Sequence, residues 1–350
     1  MLLETITVGG CRSYLIGCPA TCVGALIDPE ASQVDRYRGL AAQRGLTVRT
    51  VIDTHTHADH FSGARDVAAA FGAKVVMHRD SPAPYVDLRL DDGDMVLVGE
   101  LRVRALHTPG HTQDSLCLHV DGHVFTGDTL LIGGTGRTDL PTGDPEALYD
   151  SLFGVLLKLA PETQVHPAHD YKGREGTTIG REIAENPRLQ KADRAAFVAM
   201  MRELNITAPT HLTEALRVNM SGARSVGQLL AAASAATPFV SLDELAQRLE
   251  RLDNDVVVLD VRERDAYEAG HIATATWLPR GQLELRVNDV FPDPGVRIVT
   301  CCEFGKISTL AAATLRELGF LRAAALDGGV QAWRDAGRPM EMGAAPAAAS

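Results

Sequence analysis

The hexapeptide His55-Thr56-His57-Ala58-Asp59-His60 puts four potential metal ligands within six residues, directly after a β-branched run that ends at Asp53. So many imidazoles and carboxylates at one strand end are costly to bury unless a metal or polar partners meet them. Three later segments carry the same groups: His111 within Thr108–Thr112, Asp128 within Thr126–Thr129, and His169 within His166–Asp170. Each sits at or just past a short expected strand, where loops on a rigid scaffold present side chains. A second chemistry is offered by Cys301-Cys302-Glu303-Phe304-Gly305-Lys306-Ile307-Ser308, between an expected strand and an expected helix. A loop there turns backbone N–H groups inward and the helix N-terminus adds positive potential, so a thiolate nucleophile or sulfur carrier is favoured. Cys301 ends the strand and reads as packing; Cys302 opens the loop. His78, His107, His119, His123 and His211 fit no such pattern and read as structural or surface residues. Cys11, Cys18, Cys22 and Cys117 read as packing.

The elements that position these groups fall into two modules, as 350 residues suggest. Ten of the twelve histidines lie between His55 and His169, and both tryptophans (277 and 333) lie in the last quarter. The first module, residues 1–237, shows β-branched runs at 13–17, 23–28, 48–53, 74–77, 101–107, 115–120 and 123–126. Helical patterns cover 33–44, 65–71, 145–159 and 192–204. Many strands with few intervening helices predict packed mixed sheets flanked by helices. The second module, residues 238–340, alternates: helix 242–251, strand 256–260, strand 297–301, helix 308–318, strand 323–326, helix 330–336. That alternation predicts a small doubly wound α/β domain. The Ala-rich run 229–236 with Thr237-Pro238 is the expected join, and residues 341–350 the expected flexible tail. A hydrophobic share of 45% with 23% charged residues excludes a disordered chain, and a net charge of −11 offers no broad basic footprint for nucleic acid or anionic lipid. No apolar run approaches the roughly 20 residues of a membrane span. Without a visible signal peptide or a disulfide framework, the chain is expected in a reducing compartment, the cytoplasm.

The order His-x-His-x-Asp-His, Pro-Gly-His-Thr, Gly-Asp-Thr and a late His resembles the metallo-β-lactamase superfamily over residues 1–225. The resemblance implies an αββα sandwich with metal at one edge. Two subfamilies compete: glyoxalase II enzymes, which hydrolyse a glutathione thioester at a binuclear site, and persulfide dioxygenases, which oxidise glutathione persulfide with O₂ at one non-haem iron. Gly136-Arg137-Thr138-Asp139 resembles the dioxygenases, although Leu140 stands where they usually carry Phe. On that resemblance His55, His111 and Asp128 hold one Fe(II), leaving three positions for water, O₂ and a substrate sulfur. His57, Asp59, His60 and His169, second-metal ligands in the hydrolases, are then implied to orient ligands and water. A binuclear zinc site stays open as the alternative. Glutathione carries two carboxylates, so Arg137, Tyr171, Lys172 and Arg217 are its expected contacts.

Val258–Arg262, Gly270-His271-Ile272 and Asp327-Gly328-Gly329 with Trp333 resemble a rhodanese, a sulfurtransferase domain, over residues 240–340. Cys302 then matches the persulfide-forming cysteine of a six-residue loop closed by Ile307, with Asp260 and Arg262 organising the fold. The loop departs from the usual pattern: Glu303 and Ile307 replace arginines, and Lys306 is its single cation. An acidic side chain beside Cys302 is expected to raise its pKa and repel thiosulfate. Together the resemblances imply sulfane-sulfur transfer between thiosulfate and glutathione through Cys302, and oxidation of glutathione persulfide to sulfite and glutathione. The alternative is a thioester hydrolase with a degenerate rhodanese docking domain; homo-oligomerisation is left open.

Overall fold

The computed structural model describes residues 1–190, 193–204, 207, 212–251 and 256–343. His211, Ala192 and the expected tail from residue 344 onward lie outside them. The chain divides into two compact units, Met1–Ala223 and Arg224–Ser350.

In the first unit β1 (Leu2–Val8), β2 (Cys11–Cys18), β3 (Val23–Ile27), β4 (Thr47–Ile52), β5 (Lys74–His78) and β6 (Leu88–Leu90) form one sheet in that order. The first three strands are an antiparallel meander, and β3 to β6 run parallel. α1 (Val34–Gln43) links β3 to β4, and α2 (Ala64–Phe71) links β4 to β5. A second sheet uses β7 (Met95–Val98), β8 (Leu101–His107), β9 (Leu116–Val120) and β10 (His123–Gly127). Past a small ribbon of β11 (Leu130–Leu131) and β12 (Gly134–Thr135), it is completed by β13 (Gln164–Pro167) and β14 (Thr177–Thr178). Its order is β14-β13-β10-β9-β8-β7.

Period-two alternation sorts the side chains into layers. Tyr14, Ile16, Ile27, Ile52 and Val76 of the first sheet meet Val103, Leu118 and Phe125 of the second in a shared core. Their neighbours Leu15, Leu26, Val51 and Val75 point the other way, onto Tyr37 of α1 and Val67 of α2. The outer face of the second sheet packs Cys117, Val124 and Val165 against α3 (Pro145–Tyr149), α4 (Ile179–Glu185) and α5 (Arg194–Arg202). This is the expected αββα sandwich. A further helix, α6 (Leu212–Ser221), ends the unit. The helix expected over 145–159 is broken: α3 gives way to a π-helical turn at Asp150–Val155 and a 3-10 turn at Leu156–Lys158.

The second unit starts with α7 (Val226–Ala236), then β15 (Phe239–Val240), α8 (Leu242–Glu250), β16 (Val256–Asp260) and α9 (Arg264–Ala269). There follow β17 (His271–Ile272), β18 (Thr276–Trp277), α10 (Leu283–Val290), β19 (Arg297–Cys301), α11 (Lys306–Glu317), β20 (Ala324–Leu326), α12 (Gly329–Asp335) and β21 (Met340–Glu341). A parallel sheet, β15-β20-β19-β16-β18, is covered on one face through Leu245, Tyr267 and Trp333 and on the other through Leu283, Ala311 and Leu315. It is the expected doubly wound domain. Two boundaries differ from expectation. The Ala-rich run is no linker: Ser225 and Gln228 form a reciprocal capping box that starts α7, and α7 packs against α11. At the other end, Glu341 pairs with His271 in a short ribbon, so ordered chain extends past residue 340. No helix among the described residues is long and apolar enough to cross a membrane.

Candidate metal centre and cysteine loop

The metal-ligand candidates gather where strand ends of both sheets meet. Past β4, Thr54 donates its N–H to Asp28 Oδ1 at 2.7 Å and its hydroxyl to the same carboxylate, tying the His55 loop to the end of β3. The hydroxyl also lies 2.9 Å from His55 Nδ1, while His55 Nε2 is buried and makes no hydrogen bond. His111 donates through Nδ1 to the Arg137 carbonyl at 2.8 Å, so its Nε2 is free to point forward, 3.6 Å from Asp128 Oδ2. Asp128 follows β10 through Gly127, whose φ is +50°. A Cβ at Gly127 would stand 2.5 Å from Thr54 Oγ1, so glycine is what lets these two strand ends approach. One ligand atom each from His55, His111 and Asp128 lies within 4.8 Å of the others. Burial, and then the nearby His57 and His111, push His55 down to about 3 and keep it neutral. Burial opposes the Asp128 charge, but His169, His111 and His55 hold that carboxyl well below its usual range. Two imidazoles with their rear nitrogens engaged, plus an ionised carboxylate, are a donor set that fits a divalent metal.

Around this set the other candidates separate into two groups. Asp59, His60 and His169 converge with Cys11, again within 4.8 Å. His169 donates through Nδ1 to Asp128 Oδ1 at 2.7 Å, and His60 Nδ1 lies 3.2 Å from Asp59 Oδ1. Burial works against a charged His60, yet its contacts with Asp59 and Cys11 push it up to about 10. The His57 ring lies 4.3 Å, centroid to centroid, from those of both His55 and His60, but its Nε2 groups with Asp28 and Asp53, 3.3 Å from Asp28 Oδ1 and 3.9 Å from Asp53 Oδ1. Asn219 of α6 clamps the whole loop: its Nδ2 donates to the His57 and His60 carbonyls at 2.8 and 2.9 Å, and its Oδ1 accepts from Ser62 N–H.

A cavity of about 700 Å³ opens on the centre, lined among others by His111, Asp128, His169 and Tyr171. Tyr171 is 72% exposed and stacks on His169, ring centroids 5.6 Å apart. Arg137 lines it too, but its Nε and Nη2 both pair with Asp139 at 2.6 Å. Arg188, also on the wall, donates to the Thr135 carbonyl and hydroxyl at 2.6 and 2.9 Å and has no carboxylate partner among the described residues. Lys172 and Arg217 are exposed and outside the cavity wall. For Arg217 the reason is helical phase: α6 buries Ala215, Val218 and Asn219, which turns residue 217 outward.

In the second unit Cys302 leaves the carboxyl end of β19, a central strand, where doubly wound sheets bind ligands. Its Sγ accepts from Ser308 N–H at 3.2 Å and donates to the Ser308 hydroxyl oxygen at 3.4 Å. The first turn of α12 holds the loop from behind, Val330 N–H donating to the Cys302 carbonyl at 2.8 Å and Gln331 N–H to the Glu303 carbonyl at 3.0 Å. A Cβ on Gly329 would sit 2.3 Å from the Cys302 carbonyl oxygen. Glu303 does not behave as its sequence position suggests. Its carboxylate accepts from Arg262 Nη1 at 2.7 Å and Arg334 Nη1 at 3.2 Å, which neutralises the charge expected to oppose thiosulfate. Arg262 in turn is forked onto Asp260 and bonded to the Gly270 carbonyl. Phe304 and Ile307 are exposed.

Residues 6–169 match the metallo-beta-lactamase superfamily and residues 241–336 the rhodanese-like domain. The chain is 34% identical over 211 residues to the persulfide dioxygenase ETHE1 of Homo sapiens mitochondria, covering 59% of this chain and 82% of that protein. The chain belongs to the metallo-β-lactamase superfamily. It is also 33% identical over 220 residues to the hydroxyacylglutathione hydrolase of Anaeromyxobacter dehalogenans strain 2CP-C, covering 63% of this chain and 78% of that one. Among solved structures, ETHE1 from Myxococcus xanthus is 40% identical with a TM-score of 0.62, covering 63% of this chain and 98% of that chain. A metallo-beta-lactamase from Staphylococcus aureus subsp. aureus COL has a TM-score of 0.60 at 21% identity, covering 93% of this chain and 98% of that one, a likeness of fold alone.

Within this superfamily unit, the sequence motifs named the gathered residues His55, His111, Asp128, Asp59, His60 and His169. They did not name Asn219, Arg188, Asp28 or Cys11, whose distance along the chain hides their place. His78 and His107, assigned no site role, stack on each other 3.9 Å apart, and His123 stacks on His166.

Proposed function

We propose that the first unit oxidises glutathione persulfide with O₂ to sulfite and glutathione, using one Fe(II) held by His55, His111 and Asp128. The observation that carries this reading is the position of His57. Its ring faces Asp28 and Asp53, which leaves two imidazoles and one carboxylate converging rather than three imidazoles. That donor set is the facial triad of non-haem iron oxygenases. Fe(II) held there would supply the electrons that activate O₂ toward a substrate sulfur. The protein's own part is preorganisation. Thr54 and the Arg137 carbonyl orient the two imidazoles, His169 holds Asp128, and Asn219 holds the loop that carries His57 and His60. Arg188, which has no carboxylate partner among the described residues, takes a glutathione carboxylate as a charge-assisted pair, and Tyr171 walls the opening. The likeness to persulfide dioxygenases supports the same substrate class.

The second unit is assigned sulfur transfer through Cys302. Its thiolate attacks the sulfane sulfur of thiosulfate, sulfite leaves, and the Cys302 persulfide passes that sulfur to glutathione. Ser308 N–H, in the first turn of α11, donates to the Cys302 sulfur, and the two guanidiniums on Glu303 remove the objection raised by its position. A chemistry built on reduced thiols suits a reducing compartment such as the cytoplasm.

Anaerobic loading with Fe(II), followed by O₂ uptake on adding glutathione persulfide, tests the first assignment. Uptake with about one iron per chain, as a facial triad requires, is the expected result. The second reading, a binuclear zinc thioester hydrolase, is favoured by the survival of Asp59, His60 and His169 beside Asp128 and by the hydrolase relative. Two zinc ions per chain and hydrolysis of S-lactoylglutathione without O₂ uptake would replace the dioxygenase.

A further inference from the structure

Cys11 reads as packing in the sequence, yet it lines the cavity of the metal centre. The Gly9-Gly10 turn delivers it there. Arg12 N–H donates to the Ala168 carbonyl at 2.7 Å and Asp170 N–H to the Gly10 carbonyl at 2.9 Å, a backbone bridge that sets Cys11 opposite His169. A Cβ at Gly10 would enter the Tyr171 ring at 2.4 Å, so the turn is also held against the cavity mouth. Its Sγ lies within 4.8 Å of ligand atoms of Asp59, His60 and His169. Nε2 of His60 and Nε2 of His169, the latter side chain 2% exposed, are shut off from water, and neither makes a hydrogen bond. Asp59 Oδ2 is 2.8 Å from His169 Nε2 but out of line for one. Cys117, by contrast, is fully buried away from the cavity, and Cys22 is exposed outside it.

We propose that Cys11 is a sulfane-sulfur acceptor inside the metal-centre cavity, taking the outer sulfur of an organic persulfide held there. The inference rests on the reading of this cavity as a persulfide site. The step is an exchange: the Cys11 sulfur bonds to the outer sulfur, the old S–S bond breaks, and its electron pair leaves on the inner sulfur as a thiolate. The Cys11 proton passes to that thiolate, so a persulfide and a thiol go in and a persulfide and a thiol come out, with no outside oxidant. The outer sulfur is thereby stored beside His60 and His169, and the reverse exchange returns it.

The test uses metal-free full-length Cys302→Ser protein, exposed to glutathione persulfide, alkylated and mapped by peptide mass. The Cys11 peptide is expected to gain one sulfur atom several-fold more often than the Cys22 peptide, although Cys22 is the more exposed thiol. Equal or lower labelling of Cys11 overturns the assignment. Cys11→Ser should lose that label and keep the iron content of the parent; loss of iron with the label would make Cys11 a metal ligand and overturn it too. O₂ uptake by iron-loaded protein is read alongside. Uptake with an unlabelled Cys11 defeats the acceptor alone, whereas a labelled Cys11 without uptake supports the acceptor and defeats the dioxygenase.

Discussion

The metal centre draws its parts from Asp28 to Asn219, whereas the cysteine loop is one run from Cys302 to Ser308 with its supports close by. At the centre every restraint uses at least one side chain: Thr54 to Asp28, His169 to Asp128, Asn219 to two loop carbonyls. At the loop the restraints are mainly backbone N–H groups, from Ser308, Val330 and Gln331. A centre held by side chains concentrates charge and can grip a cation, but each polar partner becomes a point of failure. A loop held by backbone tolerates side-chain exchange, which explains how Glu303 and Ile307 can occupy positions expected to be arginine.

The sharpest way to break this comparison is a reciprocal pair of variants. Asp128→Ala removes a proposed iron ligand and also unseats His169, so bound iron and persulfide-dependent O₂ uptake should fall by more than about 100-fold, beyond the loss expected for outer partners. Sulfur loading of Cys302 from thiosulfate should persist, as read by intact mass. Cys302→Ser should do the opposite, abolishing thiosulfate-dependent O₂ uptake while uptake on added glutathione persulfide continues. Loss of both activities in either variant would mean that the units do not divide the chemistry.

Asn219→Ala tests whether the side-chain network is as exposed to damage as it looks. Two loop carbonyls lose their donor, which should cost about 1–3 kcal/mol of stability and weaken iron binding roughly 10–100-fold. Unchanged iron affinity would assign Asn219 to fold alone. Arg188→Ala sharpens the cavity side of the comparison. Loss of a charge-assisted pair worth about 1.5–3 kcal/mol should raise KM for glutathione persulfide by roughly 10–100-fold, with kcat much less affected. Arg137→Ala should raise KM less, because its guanidinium is already forked onto Asp139.

What the sequence discloses follows the same division. Contiguity makes a site legible: His55 to His60 and Cys302 to Ser308 announce themselves, and β8 and β16 appear with the expected bounds, β8 because apolar residues alternate with arginines and β16 because its apolar run is unbroken. The second sheet is less legible. β7 and β13 are four-residue strands, short enough to read as loop between stronger elements. The Ala-rich α7 looks like a linker by composition, yet Ala is the best helix former and Ser225 with Gln228 supplies the start signal. Asn219, Arg188 and Cys11 reach the centre only through tertiary contact. For Cys11 the one local hint is the Gly9-Gly10 pair before it, which marks a turn without saying what the turn faces.

The smallest expected effect is at Glu303, where the two readings of the loop differ in size. Burial opposes its charge, but Arg262 and Arg334 hold the carboxyl below its ordinary range. A carboxyl lowered on folding contributes stability above its unfolded pKa and loses it as pH falls through the folded value. Glu303→Gln should therefore destabilise the protein by about 0.5 kcal/mol at neutral pH, the scale of a partly exposed ion pair. The gap to wild type should close on acidification below about pH 4, where the carboxyl protonates. Arg262 keeps its fork to Asp260, so the fold should survive. Sulfur loading from thiosulfate separates the alternatives. An uncompensated carboxylate near the sulfur would oppose an approaching anion by about 1 kcal/mol even in water, so its removal would speed loading about fivefold. Neutralised by two guanidiniums, Glu303 exerts little such force, and Glu303→Gln should leave the loading rate nearly unchanged.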